Sequence, residues 1–280
     1  MSDGQSDGQS DGEQDMDLNL KGRHALVTGS TGGIGYAAAR ELARMGAAVA
    51  INGRTRARVD EAIGRLKTEA AGAEFIAAPG DLATAEGAAS VIAALPDADI
   101  LVNNAGIFEP KPFFEIPDSD WLKFFEVNVL SGIRLARHYA PLMVKRGWGR
   151  VVFISSESGV HIPAEMVHYG MTKTAQLAVA RGLAETVTGT GVTVNSVLPG
   201  PTLSEGVATF MRQMAKGVAN PDLDQMGRDF VHAHRSSSLL GRLASIEEVA
   251  NMIAYVCSPA ASATTGAALR VDGGVVRSIV

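Results

Sequence analysis

Tyr169 and Lys173 stand four residues apart in the segment Tyr169-Gly-Met-Thr-Lys173. On a helix that spacing puts both side chains on one face. An ammonium beside a phenol favours the phenolate and draws the hydroxyl toward the range useful for proton transfer. The same pairing also serves as an ordinary surface contact, so alone it is not specific. Thirteen residues earlier, Ser156 follows the apolar run Val151-Val-Phe-Ile154. That run predicts a strand with the hydroxyl at its C-terminal end, where open α/β sheets bind ligands. A phenol, an ammonium and a hydroxyl so placed could exchange a proton with an oxygen of a bound molecule.

A second constellation lies near the N-terminus, in Thr28-Gly-Ser-Thr-Gly-Gly-Ile-Gly35. It falls between the apolar run His24-Ala-Leu-Val27 and a helical stretch from Gly33 to about Met45. Gly29 permits a tight turn, Gly33 a close approach of backbone to ligand, and Gly35 close helix packing. Backbone N–H groups at the helix start then face an anion, with Ser30, Thr31 and Ile34 completing the loop. Glycines also serve ordinary turns, but this position between strand and helix suits a dinucleotide. No Gly-Lys-Ser/Thr follows, which excludes a phosphate loop of the NTPase type. After the next strand comes Asn52-Gly-Arg54-Thr-Arg56, with no acid before Asp60. An acid there would bind the ribose 2′-hydroxyl of NAD, whereas Arg54 suits the 2′-phosphate of NADP. The plainer reading makes Arg54, Arg56 and Arg58 solvated residues at a helix start.

The elements that must position these residues alternate strand and helix. Further strands are predicted at Ala47–Ile51, Phe75–Ala77, Ile100–Val102, Val151–Ile154, Val192–Val197 and Ala268–Val271. Helical periodicity covers about Arg56–Ala71, Asp120–Arg146 and His168–Thr188. Such alternation implies an α/β fold, a single Rossmann-type doubly wound parallel sheet with helices on both faces. Residues 18–280 read as one domain, with residues 203–240 expected to shape or cover a substrate pocket.

Six acids and no Lys or Arg occupy residues 1–17, so the formal charge of −5 becomes +1 for the remainder. The leader repeats Ser-Asp-Gly-Gln and is expected to be disordered, because it has almost nothing apolar to bury. A near-neutral body gives no reason to expect nucleic acid. No apolar run nears the roughly 18 residues a bilayer span needs. One cysteine, Cys257, excludes disulfide scaffolds and cysteine-rich metal modules and points to a cytoplasmic location. No metal site is expected.

In order along the chain, the glycine loop, Asp81-Leu82, Asn103-Asn-Ala-Gly106, Asn128, Ser156, Tyr169-x3-Lys173, Pro199-Gly200 and Val271-Asp-Gly-Gly274 resemble the short-chain dehydrogenase/reductase family, over nearly all of residues 20–275. The flavour is that of 3-oxoacyl-carrier-protein reductases. The resemblance implies hydride transfer between NADP(H), or NAD(H), and a ketone or secondary alcohol. Tyr169 would be the general acid/base and Ser156 would hold the substrate oxygen. Lys173 would grip the nicotinamide ribose and lower the tyrosine's pKa. Asn128 would hold a water linking Lys173 to solvent. Asp81 would contact adenine, while Leu82, Asn104, Ala105, Gly106, Pro199 and Gly200 would line the cofactor cleft. It also implies a homo-oligomer, dimer or tetramer, pairing through the two long helices.

Two positions depart from the family. Ser204 stands where Thr is usual, leaving Thr202 or Ser204 to meet the nicotinamide carboxamide. Ile246 replaces Pro before Glu-Glu-Val-Ala, which concerns only a helix entry. His161, Glu165 and His168 could orient a polar substrate group, and Glu165 could pair with Tyr169 if the helix starts early. Val207, Phe210, Met211 and Met214 form an apolar stripe suited to packing or to a lid. The rival reading is a non-catalytic nucleotide-binding regulatory or scaffold protein on the same fold.

Overall fold

The computed structural model describes residues 16–215 and 221–279. Residues 1–15 of the acidic leader and 216–220 of the expected lid lie outside that range. The chain runs β1 (His24–Val27), α1 (Gly33–Arg44), β2 (Ala48–Gly53), α2 (Arg56–Glu69), β3 (Phe75–Pro79), α3 (Ala85–Ala94), β4 (Ile100–Asn103), α4 (Asp118–Phe125) and α5 (Ser131–Arg146). It continues through β5 (Gly149–Ile154), α6 (Val167–Thr186), β6 (Val192–Pro199), β7 (Thr202–Leu203), α7 (Glu205–Met214), α8 (Leu223–His234), β8 (Ala244–Ser245), α9 (Ile246–Cys257) and β9 (Ala268–Val271).

Seven strands form one parallel sheet in the order β3-β2-β1-β4-β5-β6-β9. Side chains alternate across a strand, so each strand feeds two cores. Ala25, Val27, Val49, Ile51, Ile100, Val102, Val152 and Ile154 pack toward α1, α2 and α9. Leu26, Ala50, Leu101, Val151, Phe153 and Val194 pack toward α3, α5 and α6. Burial on both faces is why these strands are nearly continuous apolar runs. The strand order reverses between β1 and β4, which opens a crevice at their C-terminal ends.

The predicted helix over 120–146 is interrupted. Between α4 and α5 a π turn, Glu126–Leu130, carries the buried Asn128. The wider turn releases backbone groups from the i→i−4 ladder and so makes them available to side chains. Ile246 enters α9 without the proline, because Ser245 and Glu248 form a reciprocal capping box. From the stripe on α7, Met211 is buried with Val231 and Leu243 in a small core between α7, α8 and the segment before α9, and Val207 packs against it. Among the described residues no helix is long and apolar enough to cross a membrane.

Candidate active site

The glycine loop closes the β1 end of the crevice. Gly29 and Gly33 have φ of +60° and +59°, which favour glycine. A Cβ on Gly35 would strike the Asn104 Nδ2 and lie 2.7 Å from the Gly29 carbonyl oxygen. That contact is needed, because Asn104 Nδ2 donates to the Thr28 and Gly29 carbonyls at 2.9 and 3.2 Å. The backbone N–H groups of Asn104 and Ala105 in turn donate to Thr28 Oγ1. Ser30 is fully buried and its hydroxyl donates to the Val27 carbonyl, so it shapes the turn from within. Gly32 precedes α1 without a side-chain cap, leaving the helix's first N–H groups to face the crevice.

The β2 end bears no acid. Asn52 is buried, accepts from the Gly29 N–H and donates to the Ala78 and Gly80 carbonyls. Arg54 beside it is exposed and makes no ion pair among the described residues, whereas Arg56 is held by Asp60 at 2.8 Å. Arg65 crosses from α2 to donate to the Thr31 carbonyl at 2.9 Å and to Glu205 of α7 at 3.2 Å. The exposed Asp81 accepts from the Ala83 N–H, and Leu82 buries its side chain, leaving only its backbone toward the crevice. These features fit a dinucleotide: a glycine cradle that a Cβ would obstruct, an uncapped helix start, and an unpaired guanidinium.

Across the crevice, β5 and α6 bring Ser156, Tyr169 and Lys173 together. Lys173 Nζ lies 5.5 Å from the Tyr169 ring centre, and a Cβ on Gly106 would stand 3.6 Å from the same Nζ. Burial pulls the ammonium down to about 8. The tyrosine departs from expectation. Burial pushes its phenol well above the ordinary range, hydrogen-bonding Ser156 pulls it back, the Glu157 carboxylate pushes further up and Arg235 opposes. Burial is the largest of these effects, and the phenol rests neutral.

Asn128, expected to hold a water, is engaged by protein groups through its side chain and its own carbonyl. Its Oδ1 accepts from the Ile107 N–H at 2.7 Å, and its Nδ2 donates to Thr172 Oγ1 and the Ile107 carbonyl. Its own carbonyl accepts from Gln176 Nε2 at 2.6 Å. Lys173 Nζ donates to Gln176 Oε1 at 3.1 Å and to the Ile154 carbonyl at 2.9 Å. Gln176 therefore bridges Lys173 and Asn128 directly.

Sequence reasoning missed Gln176, and it missed Glu157. Glu157 is 4% exposed and accepts from the Ser156 hydroxyl. Arg235, just beyond α8, donates to the same carboxylate at 3.0 Å and to Glu165 at 3.3 Å. The charge in Ser156-Glu157-Ser158, directly after a buried strand, was the available signal, since a buried carboxylate requires a partner. Glu165 thus pairs with Arg235 and not with Tyr169. His168 turns away into packing with Phe124 and Trp121, and His161 is exposed. Gly200 lies so close to Asp272 that a Cβ would meet its backbone at 2.6 Å. Thr202 Oγ1 donates to the Gly200 carbonyl, and Ser204 caps α7 through the Val207 N–H.

Comparison with known proteins agrees with this geometry. The family profile described as Enoyl-(Acyl carrier protein) reductase matches residues 29–276. The uncharacterized oxidoreductase YvaG of Bacillus subtilis is 50% identical over 94% of this chain and 100% of its own. The 3-oxoacyl-[acyl-carrier-protein] reductase FabG of Aquifex aeolicus is 34% identical over 93% of this chain and 100% of its own. The crystal structure of L-sorbose reductase from Gluconobacter frateurii, complexed with NADPH and L-sorbose, superposes with a TM-score of 0.87. It is 31% identical, covering 94% of this chain and 100% of the other. With its cradle, its Ser156, Tyr169 and Lys173 cluster and these matches along its length, the chain belongs to the short-chain dehydrogenase/reductase family of NAD(P)-dependent oxidoreductases.

Proposed function

We propose that this protein exchanges a hydride between NADP(H) and a ketone or secondary alcohol, with Tyr169 as the general acid/base. The observation that carries the reading is the placing of Tyr169 and Lys173 opposite the glycine cradle, with Gly106 between Lys173 and the crevice. Gly29, Thr31, Gly33, Ile34 and Gly35 would hold the diphosphate, with Ser30 supporting the turn from beneath. Arg54 would hold the 2′-phosphate and Asp81 and Leu82 the adenine end. Asn104, Ala105 and Gly106 would flank the middle of the cofactor, and Pro199, Gly200 and Thr202 the nicotinamide. When bound, the cofactor supplies or accepts the hydride.

The protein's part is to position and to move protons. A neutral Tyr169 is the form that donates to a substrate carbonyl oxygen as negative charge develops there. Lys173 keeps its ammonium on the Ile154 carbonyl and Gln176, fixed beside the tyrosine ring. Ser156 cannot give its one proton to Glu157 and to a carbonyl at once. A substrate alcohol meets the serine lone pair, whereas a carbonyl requires the serine proton to swing away from Glu157.

The test follows nicotinamide absorbance with NADPH and with NADH over a panel that includes L-sorbose and 3-oxoacyl thioesters, the compounds named for two similar proteins. Tyr169→Phe should cut turnover by about 10²–10⁴-fold while leaving NADPH binding intact. Full turnover in that variant would reject the proton donor. Tight NADPH binding without turnover of any carbonyl would favour a binding protein instead.

A further inference from the structure

Ser156 has one proton to give and two lone pairs to fill, and the fold already commits most of them. Its Oγ accepts from the Ser158 N–H at 3.1 Å, an arrangement set by the short turn Glu157–Gly159 that follows β5. Its hydroxyl proton goes to Glu157 Oε2. A carboxylate has no proton to offer in return, so the direction of that bond is settled. One serine lone pair is left over. A ligand oxygen that meets Ser156 in this state must bring its own hydrogen, which an alcohol does and a ketone does not.

Glu157 is held in place by a residue 78 positions away. Arg235 donates from Nε to Glu157 Oε1 at 3.0 Å, and the two side chains are 8% and 5% exposed. The guanidinium is itself anchored, because its Nη1 donates to the His234 carbonyl at 2.8 Å and to Glu165 Oε1 at 3.3 Å. The two oxygens of Glu157 therefore have separate tasks: Oε1 faces a fixed cation and Oε2 holds the serine proton. A hydrogen bond to a charged acceptor is stronger than one between neutral groups, and burial removes the water that would compete for it. To reach a ketone, the serine proton must first leave a carboxylate.

We infer that Glu157 is a positioning residue that makes Ser156 a hydrogen-bond acceptor, so that the resting site takes up an alcohol ahead of the corresponding ketone. This role presupposes the reaction proposed above, in which Ser156 meets the substrate oxygen. Glu157 acts on the substrate through the serine hydroxyl.

Glu157→Gln should shift the preference toward the ketone, for a geometric reason. The amide keeps the shape of the carboxylate but carries one oxygen and one NH2. The anchored Arg235 requires an acceptor, so the amide oxygen takes the place of Oε1 and the NH2 faces Ser156. The NH2 then fills the remaining serine lone pair, and the serine proton is released to the ligand. A ketone gains a donor, while the hydrogen of an alcohol loses the serine as its acceptor.

Forward and reverse kcat/KM are tied together by the overall equilibrium, so binding is read in complexes that cannot react. The probes are L-sorbose or a 3-oxoacyl thioester, whichever ketone the wild-type protein reduces, and the alcohol formed from it. The ketone is titrated with oxidised NADP bound and the alcohol with NADPH bound, both followed by fluorescence. In Glu157→Gln the ketone should bind about tenfold more tightly and the alcohol severalfold more weakly. Retained NADPH binding verifies that the isosteric variant is folded. In a Ser156→Ala background the same substitution should move neither constant by more than about twofold, because the hydroxyl that carries the effect is gone. Unchanged constants in Glu157→Gln, or equal weakening of ketone and alcohol, would make Glu157 a structural tie and overturn the inference. A shift toward the ketone that persists without the serine hydroxyl would overturn it as well. Turnover that survives Tyr169→Phe, or a wild-type protein that reduces no carbonyl, overturns the reaction beneath it instead.

Discussion

Arg54→Ala should abolish discrimination between NADPH and NADH while sparing NADH binding. Four arginines, Arg54, Arg56, Arg58 and Arg65, follow the end of β2, and two of them are already committed to carboxylates. Arg56 is committed to Asp60 at 2.8 Å, and Arg65 to the Thr31 carbonyl and Glu205 at 2.9 and 3.2 Å. Arg54 has no carboxylate partner among the described residues, so no existing ion pair must break before it meets a phosphate. Asn52, whose side-chain oxygen takes the Gly29 N–H, offers no carboxylate to a ribose hydroxyl. A hydrogen bond between charged groups contributes about 1.5–3 kcal/mol. That corresponds to about 10- to 100-fold in Kd. Because Arg54 is exposed, the lower half of this range applies, and salt should shrink the effect further. Tryptophan fluorescence titrations with both cofactors at low and high salt would give the four constants needed. NADPH should weaken by about tenfold or more at low salt, with NADH within about twofold of its starting value. Arg58→Ala is the control, being exposed one turn further along α2. If Arg54→Ala weakens both cofactors equally, or leaves their ratio unchanged, the assignment of the 2′-phosphate to Arg54 is wrong.

Three further outcomes follow from packing and burial. Gly35→Ala should cost about 2–3 kcal/mol, because the new methyl displaces Asn104 from the Gly29 carbonyl. Differential scanning fluorimetry should read that as a fall in Tm of about 5–10 °C, together with weaker NADPH binding; an unchanged Tm would contradict it. Lys173→Met should stabilise the cofactor-free protein at pH 7 while abolishing activity. Burial lowers Lys173 to about 8 from 10.5, so below that value the folded protein carries a charge the unfolded chain holds more easily. The gap disfavours folding by about 3 kcal/mol at pH 7, fading as pH rises toward 10.5. Losing the bonds to Ile154 and Gln176 offsets about 2 kcal/mol of the relief. Urea titrations should show a net gain near pH 7 that reverses near pH 10, and a gain independent of pH would sink the reasoning. Ser245→Ala should remove about 1 kcal/mol by opening the cap of α9. Glu248→Ala should add less on top of it than it removes alone, because the capping box is reciprocal; full additivity would show the two act separately.

Where function follows from local spacing, the sequence was legible. Alternating apolar runs and turn residues were enough for the doubly wound sheet, because each parallel strand must be buried on both faces. Gly29, Gly33 and Gly35 could be assigned separate tasks because backbone freedom and close packing act within a few residues. What was hidden depends on contacts between residues far apart in the chain. Gln176 meets Asn128 across 48 positions and Arg235 meets Glu157 across 78, and no periodicity reports either. The π turn at Glu126–Leu130 was hidden for a related reason: a single widened turn barely disturbs a helical pattern while freeing the carbonyl that Gln176 takes. Tyr169 shows the more general difficulty. Its spacing to Lys173 correctly placed an ammonium beside the ring, and from that alone the phenol should ionise more easily. Burial lies outside any spacing argument, and here it acts on both partners, lowering the ammonium and raising the phenol. The same burial that reverses the expected shift leaves the phenol protonated, the form able to give its proton to a carbonyl oxygen.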